Sequence, residues 1–259
     1  METSARRKLG RGIEHVKTLR GEAGEFEDSE AYVFRTEVET RTPEYVKYRC
    51  FATQRQPVPD DWPLLAGEAI QNLRSALDHV VYASVKRPSA RLQFPIFTDA
   101  CEFQVFGARR IKGIPKPVRA AIERAQPYVV APQTPARESL ELLRTLSNTD
   151  KHRTLTTVAS AVQHEYIGTR GDIEVFWEKF ATDQPLGDGD THISTFIARP
   201  EPGAETTIEE MNVSPGFAYH VRIEGMPLDV LVGIGRRVFE VVTECETGQL
   251  PPPDAPYPI

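Results

Sequence analysis

The chain predicts an α+β fold: a four-helix bundle with an antiparallel β-sheet and a β-hairpin inserted between its helices. Three observations carry this. Segments at about 3–22, 60–86, 135–151 and 226–246 repeat apolar residues at helical spacing. Segments at about 31–53 and 154–225 alternate, and are rich in Val, Thr, Tyr, Phe and Ile. Helices from both ends of the chain would then share one core, so residues 1–250 are expected to form a single domain with no linear boundary. A flexible Pro-rich tail over 251–259 follows it.

Composition agrees with a globular chain. The 259 residues suffice for a sizeable core, and 40% hydrophobic with 26% charged residues is ordinary. A formal net charge of −6 excludes a protein that coats nucleic acid over its whole surface, so any RNA contact must be local. Cys50, Cys101 and Cys245 include no C-x-x-C pair and no disulfide framework, which points to a reducing, cytoplasmic setting. Arg6, Arg7 and Lys8 have no apolar run behind them, and no stretch of about 18 apolar residues occurs, so neither a secretory leader nor a membrane span is expected.

Taken in order, the first helix shows Leu9, Ile13, Val16 and Leu19 on one side and is expected to end in the acidic, Gly-containing run Glu22 to Glu30. Ala31–Thr40 and Glu44–Thr53 read as a hairpin broken at Thr42-Pro43. Asp60 or Asp61 can cap the long helix that follows, with Pro63 in its first turn and Pro88 beyond its end. Residues 91–135 read as irregular, with short helices at Asp99–Phe106 and Pro117–Ala125. Within 107–124, six basic residues (Arg109, Arg110, Lys112, Lys116, Arg119 and Arg124) face Glu123 alone, either as a solvated loop or as a landing strip for phosphate. The helix from Pro135 ends in Ser147-Asn-Thr-Asp-Lys-His-Arg153, a polar cluster. Asp188, Asp190 and His192 form a metal-like triplet, although a hairpin tip is the simpler reading. Leu228 to Val242 carry the broad apolar arc of the last helix.

The second helix has two unlike faces. Ala66, Ala69, Ile70, Leu73, Ala76, Leu77, Val80 and Val81 fill an apolar arc. Glu68, Asn72, Ser75, His79 and Tyr82, spaced 4, 3, 4 and 3, form a separate polar stripe, with Gln71, Arg74 and Asp78 beside it. An acid, an amide, a hydroxyl, an imidazole and a phenol suit a lined pocket better than a solvated face. Arg74 and His79 stand about 140° apart around the helix and about 7.5 Å along it, so both can reach a group lying over one flank.

The run Asn-Leu-Arg-Ser-Ala-Leu-Asp-His, with Arg74, Ser75 and His79 in an Arg-x-x-x-x-His pattern, resembles the signature helix of the HEPN superfamily. The resemblance covers this helix, its neighbours loosely, and none of the β region. It implies a HEPN-like helical bundle and a metal-independent RNase of toxin–antitoxin or phage-defence type. It further implies a homodimer sharing its site, RNA as substrate, and an antitoxin or regulatory protein as partner. Arg74 and His79 would be catalytic, His79 moving a proton and Arg74 neutralising phosphoryl charge. Glu68 would be an additional acid. No cofactor is implied.

Around that pair, Glu68, Asn72, Ser75, Asp78, Asp150 and His152 are expected as supporting residues, and Lys151, Arg153, Arg109 and Arg110 as phosphate contacts. The plainer alternative pairs Arg74 with Asp78 at i+4, gives His79 a core hydrogen bond, and lets Lys151, His152 and Arg153 complement a helix dipole. Two other functions fit the same residues. One is a non-catalytic module binding a nucleotide, RNA or a protein through a structural polar network. The other is a bundle metal site of Glu68, His79, Asp150 and His152, although the three-His set and the Glu-x-x-His motif are both missing.

Overall fold

A computed structural model of the protein describes residues 2–170, 172–209 and 211–255; residues 256–259 of the expected tail lie outside them. Its elements run α1 (Ser4–Asp28), β1 (Tyr32–Arg41), β2 (Val46–Gln54), α2 (Trp62–Ala83), α3 (Ala100–Glu102), a π-helical turn (Phe103–Gly107), α4 (Ala108–Arg110), α5 (Lys116–Arg124), α6 (Pro127–Val130), a 3₁₀ turn (Pro135–Arg137) and α7 (Ser139–His152). They continue with β3 (Thr157–Arg170), β4 (Ile173–Lys179), β5 (Gln184–Pro185), β6 (Asp190–Pro200), β7 (Asn212–Ile223), β8 (Met226–Pro227) and α8 (Val230–Thr247). They form two compact units. One holds the chain up to Gly21, Asp60–Thr156 and the residues from Leu228 onward; the other holds Glu22–Pro59 and Thr157–Pro227.

In the helical unit, α2 packs against α7 and α8, and α5 and α7 also pack on α8. The apolar stripes read from the sequence are what these contacts bury: Ile70, Leu73, Leu77 and Val81 of α2, Leu140, Leu143 and Leu146 of α7, Leu231, Ile234, Val238 and Val242 of α8. Gly12 of α1 lies so close to Leu73 that a Cβ there would meet the leucine side chain at 2.8 Å. Pro63 occupies the first turn of α2, while Asp61 at its N-cap makes no side-chain capping bond. Gly248, at φ 78°, ends α8 in the left-handed conformation that spares any other residue's Cβ clash. Buried Gln126 fixes the segment after α2. Its side chain accepts from Phe97 N–H and donates to the Pro95 and Ile122 carbonyls.

The β unit contains two four-stranded antiparallel sheets, in orders β1-β2-β6-β4 and β5-β3-β7-β8. This corrects the expected four-helix bundle with one inserted sheet and a hairpin. The hairpin β1–β2 is half of the first sheet, joined to it through the β2–β6 pairing. The physical reason lies in the alternation. Val46, Tyr48, Cys50 and Ala52 bury one face of β2, while Ala159 and Ala161 of β3 and Tyr219, Val221 and Ile223 of β7 bury residues at the same period. That is more one-sided apolar strand than a single sheet laid on helices can cover, and a second layer covers it. Tyr48, Phe196 and Trp177 form an aromatic row across β2, β6 and β4. Phe34 of β1 stacks on Phe217 of β7 at 5.3 Å, and Tyr32 meets Tyr219 at 5.0 Å, so rings join the two sheets. Tyr219 Oη donates to the Phe26 carbonyl and accepts from Ala31 N–H. No helix of the described residues is long and apolar enough to cross a membrane.

Candidate functional site

Among the described residues, three cavities along α2 stand out, all within the helical unit. The first, about 230 Å³, is lined by Arg74, Gln93, Ile96, Arg110, Arg144, Ser147, Asn148 and Lys151. Four of these eight side chains are cations. Arg144, Ser147, Asn148 and Lys151 fall at spacings of 3, 1 and 3 on α7, hence on one face. Arg110 arrives from α4, immediately after the π-helical turn, a feature often found at functional sites. Gly107 closes that turn because the Phe103 ring lies where its Cβ would be.

Arg74 is the most constrained of the four. It is only 7% exposed because Ile70, Leu73, Leu77 and Val81 carry the buried side of α2 past it. Its Nη2 donates to the Phe94 carbonyl at 2.7 Å and to Asp78 Oδ1 at 3.2 Å. The same Asp78 oxygen accepts from Phe94 N–H at 2.8 Å, so one carboxylate ties the arginine to the segment beyond the helix. Nη1 is sealed from solvent and has no hydrogen-bond partner; neither has Ser147 Oγ, on a residue 1% exposed. Burial lowers the Arg74 pKa from the usual arginine value; Asp78 opposes this, while Arg110 and Arg144 add to it. The guanidinium nonetheless remains a cation.

The other cations are placed differently. Arg144 is paired with Glu141 through Nε and Nη2, which raises its pKa despite partial burial. The Arg110 guanidinium sits 5.3 Å from the centre of the Phe97 ring. Among the described residues, neither Arg110 nor Lys151 has a carboxylate within 4.0 Å.

The second cavity, about 410 Å³, is lined by Ser4, Asp78, His79, Tyr82, Ala83 and Leu92. The third, about 400 Å³, is lined by Lys8, Leu64, Gly67, Glu68, Gln71, Asn72, Ser75 and Asp150. There Gln71 donates to Asp150 at 2.9 Å, and Lys8 to Asn72 at 3.3 Å. A Cβ at Gly67 would meet Asp150 Oδ1, so a larger residue there would displace that carboxylate. His15, only slightly exposed, lies 3.5 Å from Glu68.

The polar stripe is therefore divided. Glu68, Asn72 and Ser75 share one cavity with Asp150, while His79 lines another with Tyr82. Arg74 and His79 line different cavities; Asp78 lines that of His79 and accepts a hydrogen bond from Arg74. Of the expected phosphate contacts, Arg110 and Lys151 line the basic cavity; exposed Arg109 and Arg153 do not, and exposed His152 lines none of the three. Among the described residues, no three or more His, Cys, Asp or Glu are grouped to hold a metal ion. In the metal-like triplet, Asp190 is held by Arg35 and Thr53, and His192 Nε2 lies 2.9–3.0 Å from Thr195 Oγ1 and the Ser194 carbonyl.

Compared with protein-family models, with curated proteins and with solved structures, the chain matches none.

Proposed function

We propose that the helical unit is a binding module for a phosphate-bearing ligand, a nucleotide or RNA, with the phosphate seated among Arg74, Arg110, Arg144 and Lys151. The observation that carries the reading is the pairing of four cations with two orphaned buried groups, Arg74 Nη1 and Ser147 Oγ, around one cavity. A buried unpaired donor costs about 1–3 kcal/mol, more when charged. An oxyanion against Arg74 offsets that cost through charge-assisted hydrogen bonds. The cavity far exceeds the roughly 10–15 Å³ that one water needs. Calorimetric titration of the full chain with adenosine 5′-monophosphate and with a short single-stranded RNA tests it. Removing the two unpaired cations, in Arg110→Gln/Lys151→Gln, should weaken binding by at least about tenfold. Lys112→Gln, outside the cavity, should leave it unchanged. Binding that ignores the double substitution, or no binding of either probe, overturns the reading.

A second reading is favoured by Asp78, which holds Arg74 and lines the cavity of half-buried His79. It is the Arg- and His-assisted RNA cleavage that the helix's resemblance implies. His79→Ala should then lower cleavage of loop RNA by about 10²–10⁴-fold while phosphate binding persists. Cleavage unaffected by His79→Ala removes this reading and leaves the binding module standing.

A further inference from the structure

We infer that the basic cavity selects a terminal phosphate, a phosphomonoester, over the internal phosphodiester of a continuous strand. The inference rests on the reading of this cavity as a phosphate site and specifies which phosphate. It comes from the charge balance and the geometry. Four cations line the cavity. Two of them already have carboxylates, Arg74 with Asp78 and Arg144 with Glu141. Exposed Glu102 also acts on Arg144, but it lines no part of the cavity. Arg110 and Lys151 are left without a carboxylate among the described residues, so the site has two positive charges to compensate. A phosphomonoester brings about −1.5 to −2 at neutral pH and three strong acceptor oxygens. A diester brings one charge and two non-bridging oxygens.

The donors point the same way. Arg74 Nη1 and Ser147 Oγ lack partners, and Arg110 and Lys151 add theirs. Donors on four residues use up two acceptor directions on each of a diester's two non-bridging oxygens, whereas three terminal oxygens leave acceptors to spare. The most deeply set groups, Arg74 and Ser147, are almost completely buried. A phosphate reaching them must carry its ester arm back out of the cavity, and a monoester has one arm where a diester has two.

Competition binding to the full chain tests the inference. The probes are a five-nucleotide single-stranded RNA with a 5′-phosphate, the same RNA with a 3′-phosphate, the same RNA with hydroxyls at both ends, and adenosine 5′-monophosphate. At least one phosphorylated end should bind about tenfold or more tightly than the hydroxyl-ended strand. Lys151→Gln should shrink that ratio, lowering affinity for the phosphorylated strands by more than it lowers affinity for the hydroxyl-ended strand. If the mononucleotide competes as well as the phosphorylated RNA, the phosphate is that of a free nucleotide; if the RNA wins, it is a strand end. Equal binding of phosphorylated and hydroxyl-ended RNA overturns the preference and leaves the phosphate-binding function intact. If no probe binds, that function fails and the inference with it.

Discussion

Arg74 and Asp78 are neighbours on α2 with unequal dependence on one another. Asp78 has a second donor, the Phe94 N–H, and one-third of its side chain faces solvent. Arg74 is nearly enclosed, and Arg110 and Arg144 stand close enough to push its pKa down. Removing the carboxylate therefore leaves a buried, repelled cation, whereas removing the cation leaves a carboxylate with a hydrogen bond and water. Breaking a buried pair costs about 3–5 kcal/mol when an uncompensated buried charge is left behind, and Asp78, one-third exposed and still bonded to Phe94 N–H, is not such a charge. Asp78→Ala should thus destabilise the helical unit toward the lower end of that range, and Arg74→Met by much less, although the methionine orphans the Phe94 carbonyl. Urea unfolding followed by the helical signal checks it. Phosphate should restore more stability to Asp78→Ala than to Arg74→Met, because only the former keeps the charge that an anion would compensate. Equal losses in the two variants would show that the pair is held for packing alone.

At the scale of elements, what could be read in advance was whatever depends on periodicity within one segment. The apolar arc of α2 and the stripes of α7 and α8 are local patterns, and the helices bury them. The first helix continues to Asp28, beyond its expected end near residue 22 and through most of the acidic run, because Ala23 and Phe26 prolong the stripe of Leu9, Ile13, Val16 and Leu19. That two-residue continuation outweighs exposed glycines and acids on the other face. The second sheet was not legible, because alternation tells which face of a strand is apolar and not which strand pairs with it; the β2–β6 and β3–β7 partnerships are long-range. The candidate site divides along the same line. Arg110 and Lys151 stood out by charge. Arg144 did not, since an arginine three residues after Glu141 reads as an ordinary solvated pair. Its membership of a face with Ser147, Asn148 and Lys151 was the available signal. The burial of Arg74 needs the segment around Phe94 to fold back onto α2, and no pattern within the helix announces that. His79, adjacent in motif, faces a different cavity for the simple reason that five residues carry a helix through about 140°.

For the whole molecule, the thiols and phenols drawn into the interior give a common sign. Burial pushes the Cys245 thiol up to about 12, with Glu244 and Glu246 adding to it, and burial likewise raises Cys50, Tyr32, Tyr48, Tyr128 and Tyr219. All of these are neutral when protonated. The folded chain keeps protons that the unfolded chain releases once the pH passes the ordinary values of about 9 for thiols and 10 for phenols. Their contribution is therefore intact below about pH 9 and is lost as the pH rises through the folded values. On the acid side two carboxyls oppose one another. Burial raises Glu138, against the pull of the Leu140 N–H and Arg237, while Arg35 holds exposed Asp190 below the usual carboxylate range. The expected profile is a shallow acid limb and a steep alkaline one, measured as the urea midpoint from about pH 3 to about pH 11. Cys245 makes the sharpest test, because it is small, buried in α8 and separated from the basic cavity's lining residues. One group that releases its proton only on unfolding contributes up to about 1.4 kcal/mol per pH unit. Cys245→Ala should therefore flatten the loss of stability between pH 9.5 and 11 by up to about that slope, whatever it costs at pH 8. A parallel downward shift, with the alkaline slope unchanged, would mean that the thiol titrates normally and that the alkaline limb belongs to the tyrosines and Cys50.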